Sequence, residues 1–178
     1  MRRSGLTPIL SLAEYLAYFA GSYCILVAFI AYTPSISHLF TSLVTQAAAV
    51  LLSSIGFVAD AYPQTANAGY AEIRFNSTVY RVNEDCTGLS LVMLVAASVV
   101  AIPAPLRIRT LGVALMGLLA AAIGCLRIVI LGCVAEYQAH IFHFFHTYLM
   151  EVATVGFGLW ILLFWFNFTI PHRQTAAP

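Results

Sequence analysis

TLGVALMGLLAAAIGCLRIVILGCV, residues 110–134, carries a single charge, Arg127. A run of about 18 or more apolar residues reads as a membrane span. Working outward from it, further uncharged runs lie at Tyr15 to Ala59, Cys86 to Leu106 and Val152 to His172. Composition agrees: of 178 residues, 61% are hydrophobic and 8% are charged, where a soluble domain carries about 25% charged residues. A soluble globule with such a surface would precipitate, so the chain reads as an integral membrane protein. All eight basic residues are Arg, scattered along the chain, and the formal net charge is +1. That balance is wrong for a phosphate-backbone binder and sets nucleic acid aside as a partner.

The expected fold class is an all-α integral membrane protein, one polytopic domain over residues 1–178. It has about four transmembrane helices, an interfacial amphipathic helix and a short β-hairpin on the outer side. The spans fall at about 9–31, 88–102, 110–134 and 148–168, with an outer segment at about 33–85. The first follows Met1-Arg2-Arg3; it is too long for a signal-peptide core and has no small-x-small cleavage site close behind. Pro103-Ala104-Pro105-Leu106-Arg107-Ile108-Arg109 is a tight connection whose two Arg place it in the cytoplasm by the positive-inside rule. Both termini then lie inside, with Arg2, Arg3 and Arg173, and Cys86 faces outward. Residues 38–58 are long enough to cross, but a crossing would put Arg2 and Arg3 outside. With Ser37, His38, Thr41, Ser42, Thr45 and Gln46 set against Leu39, Leu43, Val50 and Leu51, the stretch fits a helix lying in the outer interface. Alternating polar and apolar residues on either side of Asn76-Ser77 give the hairpin. The expected location is a multi-pass (inner) cell membrane, with any site at Cys86 on the periplasmic or extracytoplasmic side.

An ionisable residue inside a span is a functional hypothesis by default. At 1.5 Å per residue, Arg127 stands roughly 26 Å above Thr110 in a core about 30 Å thick. Cys86 stands roughly 28 Å from Pro105, and His146 roughly 30 Å from Phe166. Three helices thus bring a cysteine, an arginine and a histidine to one depth near the outer surface. These are the residue types a thiol acyl-transfer site needs. A thiolate is the nucleophile, and its pKa falls when a cation stands beside it. Histidine takes the thiol proton and returns it to a leaving amine, and arginine stabilises the developing oxyanion where water is scarce. Each residue also has a plainer role: Cys86 as a small apolar filler, Arg127 as a snorkelling side chain, His146 as one of several interfacial histidines. Cys24, Cys125 and Cys133 are expected to pack, although Cys133 lies near enough to the outer face to reach Cys86. None of the four cysteines has CxxC spacing, so neither a zinc site nor a disulfide framework is indicated.

Asn83-Glu84-Asp85-Cys86-Thr87-Gly88-Leu89 resembles the cysteine motif of the exosortase and archaeosortase family. Ile102-Pro103-Ala104-Pro105-Leu106-Arg107 through Leu126-Arg127-Ile128-Val129 is similar to its second block, and His146-Thr147-Tyr148-Leu149 to the histidine block that opens the last span. The form of that block and the short chain are most similar to the exosortase H type, over about Val82 to Trp165. One departure is Gly124, where the family commonly has Asn; an amide that would orient Arg127 is missing. The resemblance implies a membrane-embedded cysteine protease and transpeptidase, with Cys86 as nucleophile, Arg127 as oxyanion stabiliser and His146 as general acid and base. The implied partners are C-terminal sorting tails of exported proteins, made of a short motif, a hydrophobic span and a basic end. No cofactor or metal is implied. Two rivals come from other classes. His140, His143 and His146, with Glu136 behind them, suit a metal or haem protein. A non-catalytic assembly or transport subunit would pair Arg127 with Glu136 or Glu151.

Overall fold

The computed structural model describes residues 7–63, 70–75, 78–102 and 105–169. The terminal arginines Arg2, Arg3 and Arg173 and the Asn76-Ser77 turn lie outside the described residues. Helix α1 (Thr7–Tyr32) is followed after one residue by α2 (Pro34–Ser54). The break follows from covalent geometry. A residue before proline is pushed out of the helical region, and Thr33 sits at φ −125°, ψ 66°, while Pro34 suits the first turn of the next helix. At its far end α2 closes on Gly56, whose φ is +101°. There the Gly56 amide donates to the Ser53 carbonyl and the Phe57 amide to the Leu52 carbonyl, the two bonds of a Schellman cap.

Strands β1 (Ala59–Tyr62), β2 (Ala71–Phe75) and β3 (Thr78–Val82) form an antiparallel sheet in that order. The expected hairpin is therefore β2 and β3, in the register Ile73 opposite Tyr80 and Ala71 opposite Val82, with a third strand added. These four side chains are buried, whereas Arg74, Val79 and Arg81 on the other face are exposed. Glu72 links that outer face, standing 3.4 Å from Arg74 and 3.6 Å from Arg81. A short 3₁₀ turn (Glu84–Cys86) leads into α3 (Leu89–Ala101), and α4 (Leu106–Tyr137) returns beside it. A run of changing helical turns follows: 3₁₀ over Ala139–Ile141, one α turn, α5 (Phe142–Phe144), and a wide π turn over Phe145–Leu149. It ends in α6 (Met150–Thr169).

Two apolar clusters hold these elements. One joins the inward face of the sheet (Ile73, Tyr80, Val82) to α2 (Val44, Ala48, Leu52) and to one half of α4 (Cys125, Ile128, Leu131). The other joins α3 (Leu91, Val95, Val99) to the first half of α4 (Met116, Ala120) and to Ile161 and Trp165 of α6.

Two helices differ in length or facing from the expected elements. Among the described residues, four helices are long and apolar enough to cross a membrane: Ala13–Tyr32, Pro34–Ser54, Leu106–Tyr137 and Ala139–Asn167. Helix α3, expected as a full span at 88–102, has 13 residues and is about 20 Å long, short of a core about 30 Å thick. Helix α2 meets the length criterion instead, and its faces are reversed from the interfacial arrangement. Ser37, Thr41 and Thr45 are buried, while Ile36, Leu39, Leu43, Val50 and Leu51 are exposed. The hydroxyl stripe thus turns into the protein and the apolar stripe outward. A smaller correction concerns Arg107 and Arg109, which sit in the opening turns of α4 rather than in a loop.

Candidate functional site

The turn that carries Cys86 is built from its own sequence. Asn83 caps it: its side-chain oxygen accepts from the Cys86 amide at 3.2 Å, and its carbonyl accepts from the same amide at 3.1 Å. The Thr87 amide and hydroxyl both donate to the Glu84 carbonyl, at 3.2 and 2.7 Å. Gly88 then takes a left-handed conformation, φ +76°, open to glycine at little cost, and turns the chain into α3. Both amides at the cysteine are committed to this turn. Neither is free to donate to another group there.

Helix α4 approaches the turn at Gly124. A side chain there would collide with the Thr87 carbonyl, and its Cβ would stand 3.3 Å from the Gly88 nitrogen. Glycine at 124 therefore lets α4 lie directly against the backbone beside the cysteine. Arg127, three residues on, has its side chain 10% exposed and reaches 3.8 Å from Glu151 of α6, which is 68% exposed. A pair that long, with one partner in solvent, contributes little and leaves the guanidinium Nε without a hydrogen bond.

His146 sits in the π turn, a wide turn of the kind often found at functional sites. Its ring stacks on Phe142, centroids 5.7 Å apart and 12° from parallel, and Phe142 meets Tyr80 edge to face at 5.8 Å. The buried Nδ1 of His146 has no partner. His140 and His143 are exposed. Among the described residues, no three His, Cys, Asp or Glu are grouped to hold a metal ion, so the histidine run does not form the cluster that its spacing suggested.

Cys86, Arg127 and His146 line one cavity of about 440 Å³, together with Asn83, Glu151 and Thr154. Cys86, His146 and Asn83 also line a neighbouring cavity of about 360 Å³ with Tyr70, Tyr80 and Phe142. A larger space of about 740 Å³, between α1 and the Ala101 end of α3, holds Glu14, Ser22 and Arg109 but no cysteine or histidine.

Burial pushes the Cys86 thiol above its ordinary range, and the charges of Asp85 and Glu151 add to this. The Arg127 guanidinium and the Asn83 hydrogen bond oppose it without overcoming it. Burial outweighs the cation, so Cys86 rests as a thiol rather than as the thiolate expected beside an arginine. All four cysteines are free thiols; Cys133 packs at the edge of the cluster that contains Cys86.

Sequence reasoning passed over Tyr80 and the cap at Asn83. The alternation through Val79-Tyr80-Arg81-Val82 already puts Tyr80 on the face of Val82, and Asn83 three residues before Cys86 is an ordinary side-chain cap signal. Comparison of the chain with protein-family models, curated proteins and solved structures gave no match.

Proposed function

We propose that this chain is a membrane-embedded cysteine peptidase and transpeptidase of the exosortase type, acting on the C-terminal sorting tails of exported proteins at the outer face of the membrane. The observation that carries the proposal is the shared cavity. A buried thiol, an imidazole and a guanidinium from three separate elements line it, and the Arg127 Nε and His146 Nδ1 are buried without partners. Orphaned buried donors and acceptors are costly, and a reacting group between them would satisfy both.

The chemistry runs in two halves. The His146 imidazole takes the Cys86 proton, and the sulfur attacks the scissile carbonyl carbon. Negative charge passes to the carbonyl oxygen, which Arg127 stabilises in place of backbone amides already engaged in the turn. Collapse breaks the C–N bond, His146 protonates the departing amine, and the hydrophobic tail leaves. The thioester on Cys86 is then resolved by water or by an acceptor amine, with His146 again moving the proton. An apolar tail would lie in the bilayer against the exposed helix faces, which places its scissile bond near the helix ends where the cavity opens.

The test is processing of an exported protein from the same source that ends in a short motif, an apolar span and an Arg-rich terminus. Intact-mass measurement is expected to show loss of the tail with the wild-type chain and its retention with Cys86→Ala. Tail loss at the wild-type level with Cys86→Ala rejects the proposal.

A further inference from the structure

Three of the buried polar atoms without hydrogen-bond partners belong to residues around Cys86: the Arg127 Nε, the His146 Nδ1 and the Tyr80 hydroxyl. The first two have roles in the chemistry above; the third has none. Tyr80 lies on β3, is 8% exposed and lines the 360 Å³ cavity with Cys86 and His146. Its ring meets Phe142 edge to face, and Phe142 in turn stacks on His146; Ile73 pairs with Tyr80 across the sheet in the same buried cluster. A phenol placed there only to fill the core would do better as phenylalanine, because a buried hydroxyl without a partner is unfavourable.

The hydroxyl shares one electrostatic field with the site. Burial raises the phenol well above its ordinary value; charge on Cys86 raises it further, and Arg127 opposes this. Tyr80 therefore keeps its proton and acts only as a donor. In the resting structure the Tyr80 hydroxyl makes no hydrogen bond, to the Cys86 sulfur or to any other atom; a small movement across the shared cavity would bring it to a thiolate, a far better acceptor than a neutral thiol.

We propose that Tyr80 is a catalytic residue of the Cys86 site, its hydroxyl donating a hydrogen bond to the cysteine sulfur as the thiolate forms. The inference rests on the peptidase reading above and deepens it. The S–H proton passes to the His146 imidazole and the electron pair stays on sulfur. Tyr80 donates to that sulfur without losing its own proton. As the C–S bond forms, the charge moves to the carbonyl oxygen and into the reach of Arg127. The two orphaned donors thus act in sequence, Tyr80 before bond formation and Arg127 after it.

The charged and titratable groups that face Cys86 come from every element around it. They are Asp85 on its own turn, Arg127 on α4, His146 in the π turn, Glu151 on α6, Tyr80 and Arg81 on β3, and Tyr70 just before β2. A pH profile of the thiol reads them together, so the test compares variants that change one at a time. The full chain in detergent is treated with iodoacetamide across a pH series, and alkylation of the peptide containing Cys86 is followed by mass spectrometry. Tyr80→Phe keeps the ring and its contact with Phe142. It is expected to raise the apparent pKa of Cys86 by about one to two units and to slow alkylation at pH 7 about tenfold to a hundredfold, the worth of one hydrogen bond to a charged group. 3-Fluorotyrosine placed at position 80 is a stronger donor and shifts the profile the opposite way. A ring with a purely structural role would not distinguish them. An unchanged profile in Tyr80→Phe, or a fluorotyrosine shift in the same direction as that of phenylalanine, overturns the proposal. If Tyr80→Phe does not fold, the fluorotyrosine arm decides alone. His146→Ala separates the two levels in the tail-cleavage assay: if it cleaves at the wild-type rate, the thiol and imidazole do not work together and the peptidase reading fails as well. If only Tyr80→Phe is silent, the role of Tyr80 alone is lost.

Discussion

Replacing Gly124 with alanine tests how closely the α4 backbone holds the cysteine turn. The added methyl would overlap the Thr87 carbonyl and sit 3.3 Å from the Gly88 nitrogen. Both are backbone atoms of the turn that carries Cys86, so no flexible side chain can swing away, and the turn or the helix must shift. Overpacking of this kind typically costs 1–3 kcal/mol, so about 2 kcal/mol is expected here. In a chain of this size that corresponds to a fall in Tm of roughly 4–8 °C. The effect on chemistry is larger, because a displacement of about 1 Å at a reacting group costs about a hundredfold in rate. Gly124→Ala is therefore expected to lose about a hundredfold in tail cleavage while still folding. Gly21→Ala and Gly156→Ala serve as controls, since an added Cβ meets nothing within 4 Å at either position; they should keep activity and gain slightly in helix stability. Cleavage is read by mass spectrometry of the substrate and folding by thermal unfolding in detergent. If Gly124→Ala matches the Gly21→Ala control in both, the close approach does not position Cys86 and the account of glycine at 124 is wrong.

Arg127→Lys is expected to be nearly as damaging as Arg127→Ala, by about a hundredfold to a thousandfold in kcat with KM little changed, because lysine lacks the planar fork; a snorkelling Arg127 would tolerate lysine. His146→Ala should lose turnover similarly, whereas the exposed His140 and His143 should tolerate alanine in the same cleavage assay, and loss of activity together with a bound metal in those two variants would favour the histidine-cluster reading. Because burial holds the Cys86 thiol above its ordinary value of 9.0, its alkylation in His146→Ala should still be climbing with pH beyond that point. A levelling near neutral pH would mean that a thiolate is already present at rest. Reporters fused after Arg109 and after Gln138 should fall on opposite sides of the membrane, as the ends of α4 require, and a reporter after Gln64 shows whether α2 crosses as well.

Helices α1 and α4 were legible because their apolar runs are long and broken by few charges. The hairpin was legible because residues 71–82 alternate. The inward direction of the α2 hydroxyl stripe was not legible: Ser37, Thr41 and Thr45 suggest water in the sequence, but in the fold they are buried against the protein. The shortness of α3 was hidden because the apolar run continues past Ala101 to Leu106 while the helix stops before Pro103. The depth count at 1.5 Å per residue brought Cys86, Arg127 and His146 to one level. It gave no hint of the cap at Asn83, the contact at Gly124 or the inward hydroxyl of Tyr80, because each depends on which way a side chain or a backbone edge points. A lone tyrosine in a strand belongs to no motif.

The wide turn over Phe145–Leu149 makes the bearing of His146 a matter of residue count. An α-helix advances about 100° per residue, and a π turn absorbs one residue more than the regular ladder. Taking up that extra residue would leave the helix unbroken and its length almost unchanged, yet it would swing His146 by about a quarter of a revolution relative to α6. The stack of His146 on Phe142 acts as a detent against that rotation, so the bearing of the imidazole is held by an aromatic neighbour as much as by the backbone that carries it.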